Sequence, residues 1–99
     1  MLSDKMQAAM NKQINAELHS AYIYLSMSAY FESENLRGFA NWMRVQAQEE
    51  VGHAMRFFGF INERRGRVIL EAVAAVPTQW ARRWPYSRTP ISTSRRSAG

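Results

Sequence analysis

Apolar residues recur at helical spacing along two long stretches of the chain. In the first, from about residue 4 to 34, Met6, Met10, Ala21, Tyr24, Ser28 and Phe31 follow one another at steps of three, four or their multiples. Ser3 is placed to cap this helix, and Asp4 suits its positive end. Asn35-Leu36-Arg37-Gly38 then breaks the period and predicts a short turn. The second stretch, from about 39 to 66, carries a stripe of Phe39, Trp42/Met43, Gln46, Glu50, His53, Phe57 and Phe60/Ile61. Gly66 is placed to end it. The fold class is therefore all-α, a long antiparallel helical hairpin. Each helix is roughly 45 Å long at 1.5 Å per residue. Two such helices cannot bury their stripes on each other alone, and the hairpin reads as half of a four-helix bundle. Gly52 and Gly59 inside the second helix each cost about 1 kcal/mol relative to alanine, which packing must offset.

Composition divides the chain in two. The 99 residues carry a net charge of +5, but all eight acids lie within 1–76, beside eight of the 13 lysines and arginines. The excess belongs to 77–99, with Arg82, Arg83, Arg88, Arg95 and Arg96 and no acid. Residues 1–76 thus read as a balanced half-bundle, and 77–99, which hold all three prolines, as an irregular Arg/Ser/Pro-rich tail. A basic nucleic-acid face is not indicated in the balanced part. There is no cysteine, which excludes disulfides and thiolate metal sites. No apolar run is long enough to span a membrane. Met1-Leu2-Ser3-Asp4-Lys5 lacks the apolar stretch of a signal peptide, so the expected location is the cytoplasm.

Three polar residues interrupt the apolar stripes at mid-length. Glu17 lies seven residues from both Met10 and Tyr24, and Glu50 and His53 lie three apart on the second helix. That spacing puts Glu50 and His53 on one face. In an antiparallel hairpin the two helix centres meet, which brings Glu17 to the same place. A carboxylate buried without a partner is costly, and neither stripe carries a Lys or Arg beside these acids. A cation is the natural remedy, and two carboxylates with an imidazole suit iron, manganese or zinc. One Glu plus Glu-x-x-His from the neighbouring helix is half of a di-iron carboxylate set. The alternative, surface acids and a packed histidine, is outweighed by the register of Glu17. Glu49 points about 100° away from Glu50, either to solvent or to a third, peripheral ion. Tyr24 is either a core tyrosine or a phenol hydrogen-bonded to a metal ligand. His19, off the stripe, is read as a surface residue. The methionines are read as core filler.

From Met1 to about Trp80 the chain closely resembles the N-terminal half of bacterial and archaeal non-haem ferritins. The residues that carry the likeness are Asn11 to Leu18 (NKQINAEL), Ala21 to Met27 (AYIYLSM), Gly38 to Met43 (GFANWM), Gln46 to Glu50 (QAQEE), His53 to Met55 (HAM) and Phe60 to Arg64 (FINER). The resemblance implies a ferritin-like bundle, hollow shells of 24 subunits, and oxidation of Fe(II) by oxygen or peroxide at a non-haem di-iron centre. It assigns Glu17, Glu50 and His53 to the first iron, with Glu50 bridging to the second, Tyr24 to the nearby phenol and Glu49 to a third iron. The family draws the second iron's remaining ligands from a third and a fourth helix, which this chain does not supply. Two copies would supply two Glu17 and two Glu50-x-x-His53 sets, as in the encapsulated ferritin-like proteins whose two-helix design this chain resembles. A non-enzymatic fragment that only packs with full-length ferritin subunits is the third reading.

The family-like sequence ends abruptly at ARRWPYSRTPISTSRRSAG, residues 81–99. A codon choice for this tail exists that, read from its third base, gives SPLAVFEDAYQHEQKVSG. That string resembles the start of a ferritin third helix, with its metal-binding glutamate. One base lost after the Trp80 codon produces the switch. It accounts for a tail with five arginines and no acid. A basic docking peptide and a plain linker are the competing readings.

Overall fold

The computed structural model describes residues 2–80. The expectations for the tail beyond Trp80 lie outside these residues. Two helices form an antiparallel hairpin: α1 (Asp4–Ser33) and α2 (Arg37–Glu63). There is no strand among the described residues. No helix among them is long and apolar enough to cross a membrane.

Local chemistry sets the helix ends. The Ser3 hydroxyl accepts the Met6 N–H at 3.1 Å, and Asp4 stands in the first turn. Helix α1 stops where Asn35 takes a left-handed conformation (φ 61°). The Leu36 N–H then reaches back to the Phe31 carbonyl at 2.8 Å and that of Asn35 to Glu32 at 3.0 Å. This pair of bonds is a Schellman ending. The turn is so tight that α2 begins at Arg37, earlier than the sequence pattern suggests.

The end of α2 repeats the arrangement with a different residue in the demanding position. Arg65, not Gly66, is left-handed (φ 61°), and Gly66 N–H bonds to the Ile61 carbonyl at 2.8 Å. Gly66 serves a close approach instead. A Cβ there would stand 2.8 Å from Gln7 Oε1, 3.0 Å from Ile61 Cγ2 and 3.1 Å from Leu2 Cδ2. The helix therefore closes at Glu63, with the turn extending to 66.

The helices meet along Ala40, Met43, Ala47, Ala54 and Ile61 of α2 and Ile14, Ala21 and Phe31 of α1, all buried. Four of the α2 residues recur every seventh position, which keeps them on one seam. Ile14 packs with Ala54 and Ile61 at one end, Phe31 with Ala40 and Met43 at the other. Near the turn the Ser28 hydroxyl donates to the Ala40 carbonyl at 2.7 Å. The stripe read from the sequence is wider than this seam: Ala21, Phe31, Met43 and Ile61 lie on it, whereas Met6 is 49% exposed, Phe39 51% and Trp42 55%. A helix of a four-helix bundle needs apolar surface toward more than one neighbour, so its apolar band is wider than one seam.

After Gly66 the chain returns along α1 without regular structure. Polar side chains of α1 hold its backbone. Gln7 Oε1 accepts the Arg67 N–H at 2.9 Å. The Asn11 amide donates to the Arg67 carbonyl at 3.0 Å and accepts the Ile69 N–H at 2.8 Å. The Asn15 amide donates to the Ala72 carbonyl at 3.2 Å. Further along, the Ser26 hydroxyl donates to the Pro77 carbonyl and accepts the indole N–H of Trp80 at 3.0 Å. Trp80 is 8% exposed. An otherwise unpaired backbone is thereby satisfied and fixed.

Candidate metal centre

The site lies at the middle of both helices. Glu50 stands midway along α2, and Glu17 little more than one residue from the middle of α1. The antiparallel seam brings them together, and His53 follows Glu50 by one turn. His53 Nδ1 lies 3.5 Å from Glu17 Oε1 and 3.5 Å from Glu50 Oε1. One ligand atom from each of the three residues falls within 4.8 Å of the others. Four residues before Glu17, the Gln13 amide donates to Glu17 Oε2 at 2.9 Å, which orients the carboxylate.

The two acids hold each other. Glu17 is pushed below the ordinary carboxylate value, first by a hydrogen bond from Glu50 and then by that from Gln13. Glu50 is pushed up, first by the same bond with Glu17 and then by desolvation. One contact thus pushes the two acids in opposite directions, so that Glu50 takes up a proton more readily than Glu17. A divalent cation can take the place of that proton. Two oxygens and a nitrogen then face it, a donor set that suits iron, manganese or zinc.

The site opens into a cleft lined by Met10, Phe57 and Phe60 as well as Glu17, His53 and Arg56. Glu17 and Glu50 side chains keep 16% and 20% of their exposure and His53 46%. The histidine is thus the most exposed of the three, and Glu17 the most covered. Arg56, one turn beyond His53, lines the cleft, although the sequence suggested no cation near these acids. Gln13 was likewise not singled out, yet its spacing of four from Glu17 was a readable signal. Of the other residues considered, Glu49 is exposed and stands outside the three-residue group. Tyr24 packs with Met27 and Tyr30 against the Phe31–Ala40–Met43 cluster. His19 is half-buried.

Comparison with known proteins fits this geometry. The Ferritin-like domain family matches residues 7–86. A bacterial non-heme ferritin of Bacteroides fragilis is 49% identical over 80 residues, which are 81% of this chain and 50% of that protein. A chloroplastic ferritin of Malus baccata var. xiaojinensis is 39% identical over 80 residues, 79% of this chain and 32% of that one. Among solved structures, an open pore ferritin from the hyperthermophilic archaeon Archaeoglobus fulgidus superposes with a TM-score of 0.78 at 59% identity, covering 81% of this chain and 49% of its own. The chain spans about half the length of the bacterial relative it matches.

Proposed function

The chain belongs to the ferritin family, and on that premise we propose that it is an iron-storage subunit whose Glu17, Glu50 and His53 receive Fe(II) for oxidation. The observation that carries this reading is the convergence of three ligand atoms within 4.8 Å at the centre of the hairpin. Iron is the substrate here. Two Fe(II) give up one electron each, and oxygen or peroxide takes the pair. The chain's own residues bind and orient. Glu17, fixed by Gln13, offers a carboxylate oxygen. Glu50 offers a second carboxylate and would be the ligand shared with a second iron. His53 contributes a neutral imidazole nitrogen at the solvent side. Tyr24 and Glu49 are assigned supporting roles, as a nearby phenol and as a holder of a third iron. In an intact form the subunit would belong to a cytoplasmic shell of 24 copies.

The test is anaerobic Fe(II) titration followed by exposure to air, with ferric absorbance as the readout. Glu50→Ala should abolish tight binding and slow oxidation at least tenfold. Unchanged oxidation in that variant rejects the assignment.

The reading frame is part of the proposal. We read residues 81–99 as the product of one lost base after Trp80, since the neighbouring frame can encode SPLAVFEDAYQHEQKVSG. Resequencing the coding DNA decides it. A restored frame that continues through that string supports the proposal, and a DNA sequence whose neighbouring frame does not encode it removes it.

A further inference from the structure

We propose that Arg56 makes the cleft beside Glu17, Glu50 and His53 a site for a tetrahedral oxyanion, inorganic phosphate, which binds the guanidinium and the metal together. The proposal rests on the metal-binding reading of those three residues and adds a second ligand to it.

The first argument is position. Arg56 follows His53 by three residues on α2, so the two side chains leave one face a turn apart, with Cβ atoms about 5–6 Å from each other. Arg56, His53 and Glu17 line one cleft of about 430 Å³. An oxyanion can give one oxygen to a metal at about 2.0–2.2 Å and accept guanidinium N–H groups at about 2.7–2.9 Å. Those two bonds bridge a gap of the size that one helical turn leaves.

The second argument is that Arg56 has no other task. Arg64 stacks on the Phe60 ring at 3.8 Å and pairs with Glu63 at 3.4 Å. Arg44 donates to Asn41 Oδ1 at 2.6 Å. The Arg56 guanidinium has no hydrogen bond or ion pair among the described residues. Glu17, the acid in the same cleft, turns one oxygen to the Gln13 amide and the other to His53. The planar fork of Arg56 is therefore open to a ligand, and its donor geometry matches a phosphate.

The third argument is charge. A divalent metal balances ionised Glu17 and Glu50, and Arg56 then leaves one positive charge over. Three protein donors also leave the metal with an open coordination position. One anion answers both. Met10, Phe57 and Phe60 wall the cleft with apolar surface, where charges attract more strongly than in water. Metal and anion therefore bind together, and each strengthens the other by the same factor.

The test is equilibrium dialysis of radiolabelled inorganic phosphate against the full chain, in chelator and with zinc as a redox-silent metal. The expected result is one phosphate per chain in zinc, bound at least tenfold more weakly in chelator. Arg56→Ala should weaken the zinc-dependent binding at least tenfold while helix content by circular dichroism stays unchanged. Arg44→Ala makes the same charge change in a different groove and should bind as the parent does. Zinc affinity is the second readout: phosphate should tighten zinc at least tenfold in the parent and not in Arg56→Ala. Zinc binding without phosphate binding, or phosphate binding that survives Arg56→Ala or falls equally in Arg44→Ala, overturns the oxyanion site and leaves the metal-binding reading standing. Zinc affinity that drops in Arg56→Ala in the absence of phosphate overturns it as well, because Arg56 would then support the metal ligands instead of holding an anion. Failure of the chain to bind zinc in any buffer removes the metal-binding reading and this proposal together.

Discussion

The carboxylate pair shows how single residues tie stability to chemistry. Glu17 is depressed and Glu50 raised, each chiefly by its contact with the other. The Glu50 contribution is present at low pH and is lost as pH rises through its raised value. The Glu17 contribution is present above the ordinary carboxylate value and is lost as pH falls through its depressed one. The metal-free hairpin should therefore be most stable in mildly acid solution and lose stability toward neutrality, as both acids ionise side by side. Thermal unfolding in chelator across this range checks it, and Glu50→Gln should flatten the neutral side of the profile. Metal has to displace the Glu50 proton, so zinc affinity should rise with pH through the raised Glu50 range. An affinity independent of pH there would show that no proton is released. Gln13→Ala should weaken zinc several-fold without changing helix content, because it frees Glu17 rather than removing a ligand.

At the scale of elements, the two helix endings offer a controlled comparison. Asn35 and Arg65 both adopt φ 61° inside the same hydrogen-bond pattern. Asparagine takes this conformation at less cost than arginine, so Arg65→Gly should stabilise the hairpin by about 0.5–1 kcal/mol and Asn35→Gly by less. Gly66→Ala should do the opposite. Its Cβ would press on Gln7 Oε1 and Ile61 Cγ2, and Gln7 cannot turn away without giving up the Arg67 N–H. A loss of about 1–3 kcal/mol is expected in chemical unfolding. Both helices and their antiparallel order were legible in the sequence, because Ser3, Asp4 and the Asn35–Gly38 break act within a few residues. The exact role of Gly66 was not, since two of its three contacts come from Leu2 and Gln7, at the other end of the hairpin's sequence. The return path of 66–80 was equally hidden. Gln7, Asn11 and Asn15 read as ordinary polar helix residues until the backbone they hold is known.

For the molecule as a whole, the question is which apolar face does which task. Sequence periodicity located Glu17, Glu50 and His53 together, because a polar residue inside an apolar stripe stands out. It could not separate the seam between α1 and α2 from the adjoining open face, since both lie within one broad apolar band. Burial separates them: Ile61 is 0% exposed and Ile14 2%, against 55% for Trp42. The two faces therefore predict opposite mutational behaviour. Ile61→Ala removes packing that exists within one chain and should cost about 2–5 kcal/mol at any protein concentration, with or without metal. Trp42→Ala loses little that the lone hairpin has buried, so in chelator its melting temperature should stay close to that of the parent. With zinc the parent should gain stability as metal binds the folded state. If both substitutions cost the same in chelator, the open face is already covered within the chain, and the hairpin is not the half-structure that its exposed tryptophan implies.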